Sequence, residues 1–163
     1  KDKIFLDEAV DQFSKAYQKR YLNRTIPYEG ILKLLETLEE KGIKIAVNSN
    51  KRGDYTNALV NKYFSQFSWI AVYGEREREG IPKKPDPSAA LEIANHMNLP
   101  AEEILYIGDS KTDMETGQAA QVDTVGVTWG FRPREELEAF KPKLVAESPF
   151  QVIDFIKAVN HIE

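Results

Sequence analysis

The sequence predicts an α/β fold in which a parallel sheet is flanked by helices. Apolar runs of strand length alternate with segments of helical periodicity along the chain, and this alternation favours parallel strands joined by helical crossovers. The 163 residues suffice for one domain with a substantial core. No apolar run approaches the roughly 20 residues of a membrane-spanning helix. We therefore expect one globular domain that does not insert into a membrane.

The composition of the chain excludes some kinds of partner and some kinds of active site. A net charge of -4 and a pI near 5.4 argue against nucleic acid as the main partner, because phosphate-backbone binding requires a concentrated basic surface. The chain has no cysteine, which excludes disulfides, thiolate metal sites and cysteine nucleophiles. The absence of disulfides is compatible with a reducing compartment, and we expect the protein to be cytoplasmic.

The first half of the chain predicts two strands and three helices. Apolar residues at helical spacing indicate an amphipathic helix within residues 5–23, and Pro27 to Gly30 then punctuates the chain. The elements predicted after this turn are a helix from Ile31 to Leu38 stopped by Gly42, a strand from Ile43 to Ser49, a helix from Asp54 to Phe64 and a strand from Trp69 to Tyr73.

The second half repeats the alternation after a charged loop at 74–87, which we expect to be exposed. The final helix should have Ser148 as its N-cap and Pro149 in its first turn. The elements predicted between them are a helix at 88–98, a strand at 104–107, a helix at 110–121, a strand at 124–128, a short helix at 134–140 and a short strand at 144–146.

Two carboxylates follow the strand at 104–107, which we expect to be buried on both faces. Asp109 lies at the carboxyl end of this strand, where ligands bind in open α/β sheets, and Asp113 follows one helical turn later. Two oxygen ligands in front of a helix suit a hard cation. A structural alternative stays open, because Asp109 or Ser110 could be an ordinary N-cap and Ser110-x-x-Asp113 approximates a capping box.

A hydroxyl and a lysine occur at the ends of the two earlier strands. Ser49 ends the first strand and should face the same sheet edge as Asp109. Lys84 lies after the second strand, in a loop that Pro85 and Pro87 make rigid, which would aim its ammonium group at a fixed anion. Taken singly, Ser49 is typical of a turn residue and Lys84 of a solvated side chain.

Together these segments resemble three motifs of the haloacid dehalogenase superfamily, and the resemblance covers essentially the whole chain. Ser49-Asn50-Lys51, Lys84-Pro85-Asp86-Pro87 and Gly108-Asp109-Ser110-x-x-Asp113 are similar to its second, third and fourth motifs. The segments 28–30 and 128–132 resemble the phosphoglycolate phosphatase-like branch. Glu29 stands where many relatives have proline, a departure that affects a turn and not the chemistry.

The resemblance implies a chemistry for each position. In this superfamily an aspartate attacks phosphorus to form an aspartyl phosphate, a second aspartate protonates the leaving oxygen, and Mg²⁺ bridges nucleophile and phosphoryl group. Asp109 would be the main metal ligand of this chain, and Asp113 a secondary ligand or a group that orders metal-bound water. Ser49 and the Asn50 amide would hold phosphoryl oxygens, while Lys84 would neutralise charge on nucleophile and phosphate.

The first motif of the superfamily, Asp-x-Asp-x-Thr, is missing, since no two aspartates in the chain are separated by a single residue. The resemblance therefore implies that residues 1–24 are the end of a helical cap domain, and that residues 25–163 are a doubly wound, Rossmann-like core without its first, central strand. We expect the strands ending at Ser49 and Asp109 to lie about 10 Å apart, twice the interstrand spacing. A missing N-terminal segment or a partner fragment would fill this position.

These observations predict a magnesium-dependent phosphatase of small phosphorylated metabolites, inactive as the 163-residue chain alone. A dehalogenase is the nearest enzymatic alternative, but Asp109 with Asp113 favours a metal and hence phosphoryl transfer. A phosphoacceptor receiver domain would carry its acidic residues before its hydroxyl and lysine, which is the reverse of the order found here. A catalytically inactive binding or regulatory module on the same fold remains the other reading.

Overall fold

The computed structural model describes residues 25–161, in which five strands alternate with six α-helices. The predicted helix within residues 5–23 lies outside the described residues. The elements are α1 (Ile31–Glu40), β1 (Ile45–Arg52), α2 (Gly53–Tyr63), β2 (Trp69–Glu75), α3 (Ser88–Met97), β3 (Leu105–Gly108), α4 (Lys111–Ala119), β4 (Asp123–Val127), α5 (Arg134–Glu138), β5 (Leu144–Ala146) and α6 (Pro149–Val159).

All ladders between these strands are parallel, and they form two separate groups. β1 pairs with β2, while β4 lies between β3 and β5. Helices connect successive strands, so the predicted α/β fold with a parallel sheet flanked by helices is confirmed. No backbone ladder joins β1 to β3 within residues 25–161, and we call the interval between these two strands the β1–β3 gap. The predicted separation of about 10 Å stays a prediction.

One hydrophobic core supports both groups of strands. Ile45 of β1 and Val125 and Val127 of β4 belong to the same buried cluster, which the apolar faces of α1 and α6 cover. A smaller cluster lies on the face occupied by α3, where Ala71 of β2 packs with Ile93 and Met97. Side-chain packing therefore holds the two strand groups together across the β1–β3 gap.

Three local expectations need correction. β3 is not buried on both faces: Ile107 is 37 % exposed, because β3 is an edge strand within the described residues. Ser148 occupies the N-cap position of α6, but its side chain makes no capping hydrogen bond there. The charged loop begins later than predicted, since β2 continues to Glu75, and residues 77–79 form a 3₁₀ turn.

No helix in the described part of the chain is both long and apolar enough to cross a bilayer.

Candidate active site

The first site loop is a bulge within β1. The register pairs Asn48 with Tyr73 and Arg52 with Glu75, so four residue steps on β1 oppose two on β2. The extra length lies at Ser49, Asn50 and Lys51, the segment with the predicted phosphate-binding residues. Ser49 was expected at the end of its strand, but the ladder resumes at Arg52. Bulges of this kind redirect side chains next to active sites.

Glycine at position 74 allows the bulge to lie against β2. A Cβ atom at Gly74 would meet Gly53 Cα at 2.5 Å and the Lys51 carbonyl oxygen at 2.6 Å, so no other residue fits without backbone movement. Inside the bulge, the Lys51 backbone N–H donates to Ser49 Oγ over 3.1 Å. The Ser49 hydroxyl thus accepts one local bond of the type expected for a turn serine and keeps its own proton to donate.

Lys84 is held at both its backbone and its ammonium group. The Asn50 side-chain amide donates to the Lys84 carbonyl over 3.0 Å and accepts from the Lys84 N–H over 2.9 Å. Lys84 Nζ donates to the Asn48 carbonyl over 2.9 Å and to Asp113 Oδ1 over 2.7 Å. The peptide bond between Lys84 and Pro85 is cis. These contacts hold the lysine at the carboxyl edge of the strands, against the Asp113 carboxylate.

Asp113 is buried, with 6 % of its surface exposed, and both of its carboxylate oxygens have partners. Oδ1 accepts from Lys84, and Oδ2 accepts from the Ser110 hydroxyl over 2.6 Å. Ser110 is also the N-cap of α4, because its Oγ accepts from the Asp113 N–H over 3.3 Å. The capping alternative is therefore correct for Ser110, and it coexists with an ion pair at the sheet edge.

Asp109 faces the loop that follows β4. The Phe131 N–H approaches its Oδ2 at 3.4 Å, and a Cβ atom at Gly130 would lie 1.9 Å from the same oxygen. Only glycine at position 130 leaves room for this carboxylate. A similar fit occurs at Gly108, where a Cβ atom would lie 2.2 Å from Asp113 Cβ. Both site carboxylates therefore lie against glycine backbone.

The donor set at this edge fits Mg²⁺ in chemistry. Mg²⁺ is usually bound through one or two carboxylates, with water and substrate phosphate completing its shell. Asp109 is half-buried and its contact with Phe131 is long, which leaves lone pairs for a cation. Both Asp113 oxygens already accept hydrogen bonds, which favours an ordering role over direct ligation. Among residues 25–161 no group of three or more His, Asp or Glu side chains is placed to hold a metal.

Tyr106 of β3 contacts the opposite strand group. The Asn48 side-chain amide donates to the Tyr106 hydroxyl over 3.0 Å. Burial raises the pKa of Tyr106 well above its usual range, and the charge of Asp113 acts in the same direction, while hydrogen bonds from Asn48 and Thr116 oppose the shift. The phenol is therefore neutral at physiological pH.

A second polar cluster anchors the charged loop beyond β2. Arg76 pairs with Glu92 through two hydrogen bonds of 3.2 and 2.6 Å, and its guanidinium carbon lies 3.7 Å from the centre of the Tyr73 ring. The Tyr73 hydroxyl donates to the same carboxylate over 2.8 Å. Hydrogen bonds from Arg76 and then Tyr73 lower the pKa of Glu92, against the opposing effect of burial. This cluster faces α3 and holds the loop that precedes Lys84.

The structure brings some of the predicted site residues into direct contact and leaves others apart. Lys84 contacts both Asn50 and Asp113. Ser49 makes its described hydrogen bond within its own loop, and Asp109 makes its own with Phe131 of the loop that follows β4. Sequence reasoning missed Asn48 and Tyr106. A weak signal for Tyr106 was present, since it is the one residue with a polar group in an otherwise apolar strand.

A carboxylate pair beside a largely buried lysine, at the carboxyl edge of a parallel α/β sheet, places the protein in the class of Rossmann-like folds with a charged site at that edge. Residues 1–127 match the family model of the haloacid dehalogenase-like hydrolases. Because this match covers more than half of the chain, the protein belongs to that family.

Relatives within the family agree with the branch predicted from the motifs. A phosphoglycolate phosphatase from Pseudomonas putida is 29 % identical over 160 residues, a match that covers 97 % of this chain and 54 % of that protein. One from Psychrobacter arcticus is 28 % identical over 153 residues, covering 93 % and 65 % respectively. The chain thus spans between about half and two thirds of the length of these relatives.

Solved structures show the same fold. A crystal structure from Lactobacillus delbrueckii subsp. bulgaricus, whose protein is provisionally assigned as a phosphoglycolate phosphatase, superposes with a TM-score of 0.86 at 29 % identity. The match covers 94 % of this chain and 63 % of that one. A haloacid dehalogenase-like hydrolase from Streptococcus pneumoniae superposes with a TM-score of 0.82 at 22 % identity, covering 96 % and 71 %.

Proposed function

We propose that this chain is the greater part of the catalytic core of a magnesium-dependent phosphatase of small phosphorylated metabolites, similar to phosphoglycolate phosphatases. The observation that carries the proposal is the Lys84–Asp113 ion pair at the carboxyl edge of the strands, with Asp109 on the adjoining loop. The Lys84 ammonium group can attract an anionic substrate, and the two neighbouring carboxylates can bind a hard metal ion. A phosphomonoester is an anion that also binds such a metal ion. The relatives named phosphoglycolate phosphatase support the same substrate class.

Several residues of this chain would each have a separate role in binding the phosphoryl group. Backbone N–H groups of the β1 bulge and the Ser49 hydroxyl proton would donate to phosphoryl oxygens. Lys84, fixed by Asn50 and Asp113, would neutralise negative charge that develops between nucleophile and phosphate. Asp109 would hold Mg²⁺, with Asp113 ordering the bound water around it. When bound, the metal ion would polarise the phosphoryl group and offset its charge.

The nucleophile and the general acid would come from a strand outside the described residues. In this proposal the strand lies in the β1–β3 gap, hydrogen-bonded to both neighbours, and belongs to an N-terminal segment or a partner fragment. Residues 1–24 would be the end of a helical cap and residues 25–163 the core. Within residues 25–161, β1 and β3 each have an unpaired edge at the gap. Each unpaired backbone group away from water costs roughly 1 to 3 kcal/mol, so a strand that pairs with both edges would stabilise the fold.

The test is to complete the protein and measure phosphate release. The chain would be preceded by a first strand and cap, its own or those of a relative, and assayed against phosphomonoesters with and without Mg²⁺. We expect Mg²⁺-dependent turnover, and a loss of about 100-fold or more in Asp109→Asn. Asp123→Asn is the matched control, because Asp123 begins β4 at the opposite end of the strand. Undiminished turnover in Asp109→Asn would exclude the metal role of this residue.

A catalytically inactive binding or regulatory module is the second candidate, favoured by the absence of any Asp-x-Asp pair in the sequence. Mass spectrometry of the protein from its native source separates the two. An intact mass near 18.6 kDa with no associated fragment would favour the inactive module. A cytoplasmic location is part of the main proposal, and the lack of cysteine is compatible with it.

A further inference from the structure

One hydrogen bond connects β1 and β3 across the β1–β3 gap. The Asn48 amide donates to the Tyr106 hydroxyl, although no ladder joins the strands that carry them within residues 25–161. Ala46 packs in the cluster on the α3 face, and Asn48 shares its side of β1 because side chains alternate. A Cβ atom at Gly117 of α4 would lie 3.4 Å from Tyr106 Cβ, which places the tyrosine against α4. The bond therefore runs along the helix-covered face of the sheet.

Asn48 links this bond to the site lysine. Its backbone carbonyl accepts from Lys84 Nζ, and its side chain is held by Tyr106. The other partner of Lys84 Nζ is Asp113 on α4. The ammonium group thus has one partner on β1 and one on α4, the helix that follows β3. Its position therefore depends on how β1 and β3 are aligned.

The Tyr106 hydroxyl is suited to a fixed structural bond. It is half-buried and protonated at neutral pH, so it accepts from Asn48 while retaining a proton of its own. Asn48 is half-buried, so its amide would lose this hydrogen bond at a position to which water has restricted access. Loss of this bond would remove the direct link that aligns β1, and with it the Asn48 carbonyl that accepts from Lys84, with β3 and the Asp113 carboxylate beyond it.

We propose that Tyr106 is a positioning residue that fixes the Lys84 ammonium group through Asn48, in register with the carboxylates of the other strand group. This proposal rests on the proposed function in one respect, namely that Lys84 contacts the phosphoryl group. It predicts that the effect of Tyr106 on the site is transmitted through Asn48 and not through the packing of its ring.

The first experiment uses the 163-residue protein and needs no turnover. The ¹⁵Nζ resonance of Lys84, assigned with Lys84→Arg, is recorded for wild type and Tyr106→Phe, which keeps the aromatic ring. We expect the resonance to shift and broaden in Tyr106→Phe and in Asn48→Ser. It should be unchanged in Tyr73→Phe, which removes the hydrogen bond from Tyr73 of β2 to Glu92 of α3. A Lys84 resonance that is the same in wild type and Tyr106→Phe would overturn the proposal.

The second experiment measures kcat and KM of the completed protein with the phosphomonoester it turns over fastest. We expect about a tenfold loss of kcat/KM in Tyr106→Phe and in Asn48→Ser, the scale found for groups that orient site residues, and no further loss in the double variant. Additive losses would mean that Tyr106 acts independently of Asn48, which contradicts the proposal. A completed protein without turnover would refute the proposed function alone, and the Lys84 resonance would then decide the positioning role.

Discussion

Removing the charge of Asp113 should destabilise the protein considerably, because the ammonium group of Lys84 would lose its counter-ion. The two side chains are 12 % and 9 % exposed, and their charged atoms are 2.7 Å apart. With an effective dielectric constant of 20, this attraction amounts to about 6 kcal/mol, opposed by several kcal/mol of desolvation for each ion. Asp113→Asn keeps the shape of the side chain, removes its charge and replaces one accepting oxygen with an amide NH₂ group, to which the Ser110 hydroxyl can act as acceptor instead of donor.

The expected cost of Asp113→Asn is about 3 kcal/mol. Removing one partner of a buried pair usually costs about 3 to 5 kcal/mol, and the lower end applies because Lys84 keeps its hydrogen bond to the Asn48 carbonyl. Urea unfolding followed by the fluorescence of the two tryptophans measures this difference. For a slope of about 2 kcal/mol/M, the midpoint should fall by about 1.5 M urea.

Two further variants test whether the unpaired charge of Lys84 causes the loss of stability. Lys84→Met combined with Asp113→Asn should be more stable than Asp113→Asn alone, because no unpaired charge remains. Asp54→Asn removes an ion pair of similar length whose side chains are more than half exposed, so its cost should stay below about 1 kcal/mol. An Asp113→Asn protein within about 0.5 kcal/mol of wild type would refute the account.

Two other predictions concern a close contact and a pH dependence. Gly130→Ala should displace the Asp109 carboxylate and weaken Mg²⁺ binding, measured by calorimetry, by about tenfold. Gly53→Ala is the control: its added Cβ atom would lie 3.7 Å from its nearest neighbour, and this variant should bind Mg²⁺ like wild type. Because Arg76 lowers the pKa of Glu92, this pair stabilises the fold above the ordinary carboxyl pKa of 4.5, and the contribution disappears as the pH falls through the lowered value. Glu92→Gln should therefore unfold at lower urea than wild type at pH 7, and the difference in urea midpoint should shrink as the pH is lowered below 4.5; a difference independent of pH would contradict this.

The order and type of the elements could be predicted from the sequence, because hydrophobic periodicity and local stop signals determine them. Strand β5 begins and ends at the predicted residues, and α2 is displaced by a single residue at each end. Topology also explains why Lys84 and Asp113 meet, since both follow parallel strands at one edge. The bulge at residues 49–51 was missed because it depends on the register with β2 and on the space left by Gly74.

The carboxylate contacts show the same division between local and long-range information. The Ser110 cap was visible in the sequence because cap and capped residue are three positions apart. The contact of Asp109 with Gly130 joins two loops through residues 21 positions apart, and no local sequence pattern predicts it. The hydrogen bond of Asn48 with Tyr106 was hidden for the same reason, and also because each residue has an ordinary alternative role in its own strand.

The shared core beneath the two strand groups gives the site a mechanical property. A backbone ladder would hold β1 and β3 at the fixed spacing of its hydrogen bonds, whereas packed side chains set a spacing that varies with their volume. Ile45 lies at the start of β1, at the far end of the strand from the bulge, yet it belongs to the core that also contains Val125. The distance between the bulge at residues 49–51 and the loop that carries Asp109, which we propose bind phosphate and Mg²⁺, thus depends on core residues at the opposite end of the strands that contact neither loop.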